Sequence, residues 1–127
     1  TINALYFDPL SGTIHDPCER GLEAVMKREL ELVCPPTVAE LCPYLSFRAL
    51  KFICKGYRPS AGVIHLLKVR LDRDIQQAGP ALLRNWLKFQ MVQKGNPLDP
   101  FQEEALSFLP GAVARSILLE AIREVAV

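Results

Sequence analysis

The sequence predicts a mainly α-helical fold in which a short N-terminal β-hairpin is followed by about six helices. Residues with a high strand propensity are concentrated near the start, in "NALYF" and "TIH". Further along the chain, apolar residues recur every three or four positions, which is the period of an amphipathic helix. Prolines and glycines interrupt this pattern and divide it into separate helices.

The first element is a hairpin with strands expected over residues 3–7 and 13–15. Between them, "DPLSG" is a cluster of the residues that turns prefer. The period then changes in "ERGLEAVMKREL", where apolar residues at helical spacing predict a helix over residues 19–30. These apolar residues are Leu22, Val25, Met26 and Leu30. "CPP" at 34–36 breaks the chain, because prolines lack the backbone N–H and restrict the residues before them.

Helices are predicted for the rest of the chain. Thr37 and Glu40 fit a capping box that opens a short helix, and Pro43 begins the next one. "AGP" at 78–80 separates the third of these helices from the fourth, because Pro80 suits a first helical turn. The helices after the short one are expected at about residues 43–54, 61–77, 81–93, 100–108 and 111–125.

The composition favours an ordered protein with a real core, since 50% of the residues are hydrophobic and 23% are charged. No apolar run approaches the about 20 residues of a membrane span, and no secretory leader is recognised. We therefore expect neither membrane contact nor secretion. The cysteines lack a CxxC pair and are expected to be reduced and mostly buried, in a cytoplasmic or organellar (mitochondrial or plastid) protein. They are Cys18, Cys34, Cys42 and Cys54.

No residue of this chain is expected to be catalytic or to bind a metal. The only two histidines, His15 and His65, are far apart, and a structural interpretation is favoured for His65 in mid-helix. Asp72 and Asp74 form a DxD pair, but residues two apart on a helix point about 200° apart and cannot easily share an ion. A solvated helix face that also carries neighbouring arginines is the favoured interpretation. These arginines are Arg70 and Arg73.

The basic residues are more informative. The net charge is only +1, so any nucleic-acid binding must come from a local stripe. Arg48, Lys51 and Lys55 have the i, i+3, i+7 spacing that places them on one helix face. Further basic candidates lie on later helices: Lys68, Arg84 and Lys88. Such residues neutralise phosphates, but from charge alone an ordinary soluble surface is the favoured interpretation.

The stretch "TINALYFDPLSGTIHDPCERGLEAV", residues 1–25, resembles a segment of the class II tRNA nucleotidyltransferases and bacterial-type poly(A) polymerases. That family carries a sequence close to "RRDFTINALYYDPxTGxxxDPxGGLEDL". "LCPYLSFRALKFICKGY" at 41–57 and "GPALLRNWLKFQM" at 79–91 take the places of later family helices. The order and spacing agree over about 90 residues, with "TINALYFDP" the most specific part and "RALKF" supportive.

The resemblance implies the polymerase β-like nucleotidyltransferase architecture. Residues 1–30 would be the end of the catalytic head, with its hairpin and connecting helix, and residues 31–127 the helical neck and body that bind RNA. The implied function is part of an RNA 3′-end nucleotidyltransferase, for tRNA CCA addition or polyadenylation. Mg²⁺ with ATP or CTP is expected for the full-length enzyme, whose metal-binding carboxylates would lie upstream. We expect this chain alone to bind none of these and to be inactive, its partners being RNA and the upstream head domain.

The resemblance also suggests individual site residues. Asn3 and Asp8 at the edge of the head, with Arg48 of the neck, are predicted to bind the nucleotide. The basic residues are predicted to contact RNA: Arg48, Lys51, Lys55, Arg84 and Lys88. The alternatives are a strand-end role for Asn3, satisfying local backbone groups, and a surface or interface ion pair for Arg48.

The chain also departs from the family pattern. The family's neck helix presents "EDxxR", whose side chains read the incoming base. Here those positions hold Leu41, Cys42 and Leu45, which cannot make the same hydrogen bonds. An alternative is therefore a catalytically decayed homologue that acts as an RNA-binding or protein-interaction scaffold.

Overall fold

The computed structural model describes residues 6–8, 10–15, 27–30 and 44–126. The predicted hairpin is confirmed: strand β1 (Tyr6–Asp8) pairs antiparallel with β2 (Thr13–His15). In the turn between them Gly12 has φ 71°, a left-handed conformation that costs glycine no steric strain. Residues 3–5 of the first predicted strand lie outside the described residues.

The predicted helix over residues 19–30 is wrong at its C-terminal end. Lys27 and Arg28 form a turn, and β3 (Glu29–Leu30) pairs in parallel with β4 (Arg58–Pro59). Arg28 has φ 54°, which a continuing right-handed helix excludes. Leu30, only 1% exposed, buries its side chain from a strand rather than from a helix. Residues 19–26, like the predicted capping box at 37–40, lie outside the described residues.

The mainly α-helical prediction is confirmed. The helices of the described part are α1 (Leu45–Cys54), α2 (Ala61–Leu87), α3 (Leu98–Ser107) and α4 (Ala112–Ala126). Helix α2 begins after Ser60, whose Oγ accepts a hydrogen bond from the N–H of Val63 at 3.3 Å. A π-helical segment (Lys88–Val92) extends α2 at its C-terminal end. None of these helices combines the length and apolar character that a bilayer span requires.

The helices predicted over 61–77 and 81–93 are two halves of one kinked element. Gly79 has φ 73° and ψ 172°, a backbone conformation that is essentially restricted to glycine. Pro80 follows it at the start of the second half, where the missing N–H costs little because a first helical turn offers that N–H no acceptor. The predicted interruption at 78–80 is therefore present, as a kink rather than as a loop.

The core lies between the apolar faces of the helices, with α4 packed along α2 and α1 against both α2 and α3. The half-buried ring of Trp86 lies 5.5 Å from that of Phe47 and 5.7 Å from that of Phe101, measured between centroids. The fully buried aliphatic side chains include Leu50, Leu67, Leu71, Ile75, Leu83, Leu87, Met91 and Leu118. Close packing of this kind fixes the relative positions of α1 and the second half of α2, which carry the candidate site.

A buried polar cluster also joins α1 to α2. Ser46 Oγ donates a 2.7 Å hydrogen bond to Asp74 Oδ2, and Arg70 lies 3.6 Å from the same carboxylate oxygen. The solvated-face interpretation is therefore wrong for Asp74 and Arg70, which are 7% and 5% exposed. Burial is possible because the hydroxyl and the guanidinium compensate the carboxylate. Asp72 is bonded to Gln76 instead, so the two aspartates have different partners, as their helical spacing predicts.

Cys54, at the end of α1, is a free and half-buried thiol. Burial, and then the Glu104 carboxylate, raises the pKa of Cys54 to about 11. Its thiol is therefore protonated at neutral pH and a weak nucleophile. The other cysteines, at positions 18, 34 and 42, lie outside the described residues.

Candidate nucleic-acid interface

The candidate site is an open cavity of about 470 Å³ between α1 and the C-terminal end of α2. One wall comes from the first turns of α1, and the other from the end of α2 and the residues that follow it. The side chains that line it are Tyr44, Arg48, Lys51, Trp86, Gln90 and Lys94. On each wall they follow one another at helical spacing, so both sets face the same space. We call this cavity the basic pocket.

The basic pocket carries an excess of positive charge. Arg48, Lys51 and Lys94 all line it, and none of the described residues that line it is acidic. Arg48 and Lys94 are exposed, whereas Lys51 is 8% exposed. A concave surface lined by charges of one sign concentrates counter-ions, so an anionic ligand is favoured here.

Lys51 and Lys94 are held by one side chain. Lys51 Nζ donates to Gln90 Oε1 at 3.3 Å, and Lys94 Nζ donates to the same oxygen at 3.0 Å. The pKa of Lys51 is lowered from its usual value, first by desolvation and then by the neighbouring cations Lys94, Lys55 and Arg48. A bound anion would relieve this cost, because it would compensate the charge that the protein leaves uncompensated.

The predicted basic stripe of α1 is gathered around one aromatic ring. The guanidinium carbon of Arg48 lies 5.7 Å from the centroid of Phe52, Lys51 Nζ lies at 5.3 Å and Lys55 Nζ at 5.5 Å. Cation–π attraction at these distances orients the charged groups without neutralising them. The stripe therefore keeps its charge available to a ligand, with Lys55 beside the basic pocket rather than in it.

Two aromatic residues complete the basic pocket. Tyr44 and Trp86 are half-buried, and the buried ring of Phe47 lies between them. Tyr44 stacks on Phe47 with 5.4 Å between centroids and 20° between planes. Tyr44 also has φ 62° and ψ 16°, a left-handed conformation that costs a non-glycine residue about 1 kcal/mol. Aromatic side chains next to cations are the combination that binds stacked bases and phosphates of single-stranded nucleic acid.

Of the residues predicted to bind RNA or nucleotide, Arg48 and Lys51 line the basic pocket and Lys55 lies beside it. Arg84 does not line it, and its guanidinium lies 3.2 Å from the carboxylate of Glu124 on α4. Lys88 is also outside it, with its Nζ 6.0 Å from the centroid of Phe89. The structure therefore brings together only part of the predicted set.

Two further site residues, Asn3 and Asp8, were predicted at the edge of the head. Asp8 lies in β1, where it pairs with Thr13. Asn3 lies outside the described residues. Their predicted role in nucleotide binding stays a prediction.

Sequence reasoning missed four of the six residues that line the basic pocket. The sequence pattern alone does not indicate a binding role for these four, which are Tyr44, Trp86, Gln90 and Lys94. The i, i+4 spacing of Trp86, Gln90 and Lys94 was a usable signal for one polar and aromatic face. What the spacing did not reveal is the π-helical segment, in which the N–H of Gln93 donates to the carbonyl of Lys88 at 3.0 Å.

No family model, no curated protein and no solved structure matches this chain. The resemblance to RNA nucleotidyltransferases therefore rests on the sequence motifs alone. The chemistry of the basic pocket is independent of that resemblance.

Proposed function

We propose that this protein binds single-stranded RNA through the basic pocket. Phosphates are held by Arg48, Lys51 and Lys94, and a base stacks against Trp86. The observation that carries the proposal is the placement of three cations and two aromatic residues around one cavity that no described acidic residue lines. Phosphate neutralisation supplies affinity that depends on salt, and stacking adds about 1–3 kcal/mol for each base.

We further propose that the chain is the neck and body of an RNA 3′-end nucleotidyltransferase, which adds CCA to tRNA or adenosines to a tail. Mg²⁺ and ATP or CTP would be bound in the upstream head domain. The motif order supports this proposal, as does the position of "RALKF", since Arg48 and Lys51 of that motif both line the basic pocket.

Filter binding of a short single-stranded RNA at about 50 and 200 mM salt tests the binding proposal. We expect saturable binding that weakens strongly at the higher salt and is weakened about fivefold or more by Arg48→Ala. Arg123→Ala is the matched control, because Arg123 is exposed on α4 and does not line the basic pocket. Binding that is absent at low salt, or that both variants weaken equally, would contradict the proposal.

The enzymatic proposal needs the full-length protein. Incubated with Mg²⁺, ATP or CTP and a tRNA that lacks its CCA end, it is expected to extend the RNA 3′ end. If the upstream carboxylates are intact and no nucleotide is added, the enzymatic proposal fails while RNA binding can still hold.

A second candidate is a catalytically decayed homologue that acts as an RNA-binding or protein-interaction scaffold. It is favoured by Leu45, which stands at the arginine position of the family's "EDxxR" and is 4% exposed. A buried leucine cannot hydrogen-bond a base. This candidate expects RNA binding with no 3′ addition, and recovery of a protein partner without RNA would favour the protein-interaction version of it.

A further inference from the structure

The orientation of the Gln90 amide is determined by its two neighbours. Both are lysine ammonium groups, which donate hydrogen bonds and cannot accept them. The atom between them must therefore be the amide oxygen, at 3.3 Å from Lys51 and 3.0 Å from Lys94. What Gln90 has left for a ligand is its NH₂ group, which donates to no described residue and is a donor only.

Four of the other five side chains that line the basic pocket share this property. Arginine, lysine and tryptophan side chains also donate hydrogen bonds without accepting them. The donors are Arg48, Lys51, Trp86 and Lys94. With the oxygen of Gln90 engaged, the Tyr44 hydroxyl is the one acceptor among the described side chains that line the basic pocket. A ligand is therefore matched to this surface when its own polar atoms are acceptors.

We propose that Gln90 is a specificity-determining residue that makes the basic pocket favour purine bases with a 6-keto oxygen over purine bases with a 6-amino group. The inference rests on the proposed RNA binding and adds the class of base that is bound. It follows from the donor-only surface that Gln90 completes between Lys51 and Lys94.

Adenine shows why the engaged oxygen matters. A free glutamine recognises adenine with both amide atoms, since its NH₂ donates to N7 and its oxygen accepts from the 6-amino group. In this pocket the oxygen of Gln90 is already bonded, so the amino group of adenine would meet a second donor. A purine with a 6-keto oxygen presents two neighbouring acceptors, O6 and N7, to the same NH₂ group.

Trp86 provides a direct assay, because it is the only tryptophan of the chain and it lines the basic pocket. Its fluorescence is titrated with IMP and with AMP, which have the same phosphate, ribose and purine framework and differ at ring position 6 and N1. The same comparison is made with short RNAs that carry inosine or adenosine at one central position. We expect the inosine ligand to bind about fivefold more tightly, the value of one hydrogen bond.

The variants separate a role in specificity from a structural one. Gln90→Leu is expected to abolish the difference between the two ligands. Gln93→Leu, at the exposed position that follows the π-helical segment, is the matched control and is expected to keep it. Lys94→Met releases one of the two bonds to the Gln90 oxygen and is expected to shift the preference toward adenosine.

The outcomes distinguish the inference from the proposed function. If the wild-type protein binds both ligands with equal affinity, or binds the adenosine ligand more tightly, the inference is overturned and RNA binding stands. An inosine preference that survives Gln90→Leu also overturns it. If neither the nucleotides nor the RNAs bind, the proposed function fails and the inference fails with it.

Discussion

Lys51 and Lys94 donate hydrogen bonds to one atom, the side-chain oxygen of Gln90, over 3.3 and 3.0 Å. Lys51 comes from α1 and Lys94 follows the π-helical segment, so tertiary packing brings these like charges together. No carboxylate compensates them among the described residues that line the basic pocket. Protein sites that bind anions commonly give up stability in this way, and the consequences can be measured.

Replacing Lys51 with methionine is expected to raise the free energy of unfolding at pH 7 by about 0.5 kcal/mol, because a desolvated charge among like charges is removed. The pKa of Lys51 is lowered in the folded state, so between that lowered pKa and the ordinary value of 10.5 the unfolded chain binds more protons than the folded protein. The free energy of unfolding of the wild-type protein therefore rises relative to that of the variant as the pH rises toward 10.5. Urea denaturation of Lys51→Met and wild type at pH 7 and at higher pH checks both signs.

The matched control is Lys68→Met, since Lys68 is an exposed lysine of α2 and does not line the basic pocket. Its effect on stability at pH 7 is expected to be less than about 0.5 kcal/mol, because an exposed side chain away from the basic pocket is replaced. A Lys51→Met variant that is less stable at pH 7 by more than about 1 kcal/mol would show that Lys51 has a structural role instead.

Replacing Ser46 with alanine is expected to lower the free energy of unfolding by about 1–2 kcal/mol, because buried Asp74 loses a hydrogen-bond donor. Ser116→Ala, at an exposed position of α4, is the control and should change it by less than about 0.5 kcal/mol. Urea denaturation of both variants makes the comparison. Equal effects would mean that the Ser46–Asp74 bond contributes nothing to stability.

Gly79→Ala is expected to destabilise the protein by about 1–3 kcal/mol, because φ 73° with ψ 172° is strained for any residue with a Cβ atom. The space around Gly79 is open, so the cost is conformational and not steric crowding from the core. Gly62→Ala is the contrast: Gly62 is exposed in the first turn of α2, and alanine there should stabilise by up to about 1 kcal/mol. Thermal denaturation of the two variants should therefore shift Tm in opposite directions.

Arg84 and Arg48 are expected to differ in their effect on RNA binding. Arg84 pairs with Glu124, whereas Arg48 lies in the basic pocket. Arg48→Ala should reduce the slope of the logarithm of the binding constant against the logarithm of salt concentration by about one. Arg84→Ala should change that slope by less. If Arg84→Ala has the larger effect, the RNA lies on another surface of α2.

Periodicity was a good guide to the helices, because the buried residues of α3 and α4 are apolar and recur every three or four positions. It failed at Leu30, where a two-residue strand is formed by pairing with β4, a partner that the local pattern does not contain. It failed in a similar way at Asp74, whose partner Ser46 lies 28 residues earlier in the chain. Contacts of that range depend on how α1 crosses α2, which local spacing does not encode.

The same limit applies to the basic pocket. On the α1 side, Arg48 and Lys51 were predictable, since they form a regular stripe and belong to a recognisable motif. The opposite wall was predictable only in part: the i, i+4 spacing of Trp86, Gln90 and Lys94 indicates a shared face, but local spacing does not reveal the π-helical segment in which Gln90 lies. In the sequence, Gln90 looks like any polar residue of a partly exposed helix. Only its hydrogen bonds from Lys51 and Lys94 distinguish it, and these are visible only in the structure.

Titration of a short single-stranded RNA against the fluorescence of Trp86 decides whether the basic pocket is an RNA site. Wild-type protein should show saturable quenching that weakens as salt is raised, and the double variant Lys51→Met/Lys94→Met should bind about tenfold more weakly or worse. The control Lys68→Met should bind like wild type. Unchanged fluorescence at low salt, or equal affinities for wild type and the double variant, would contradict RNA binding at this pocket.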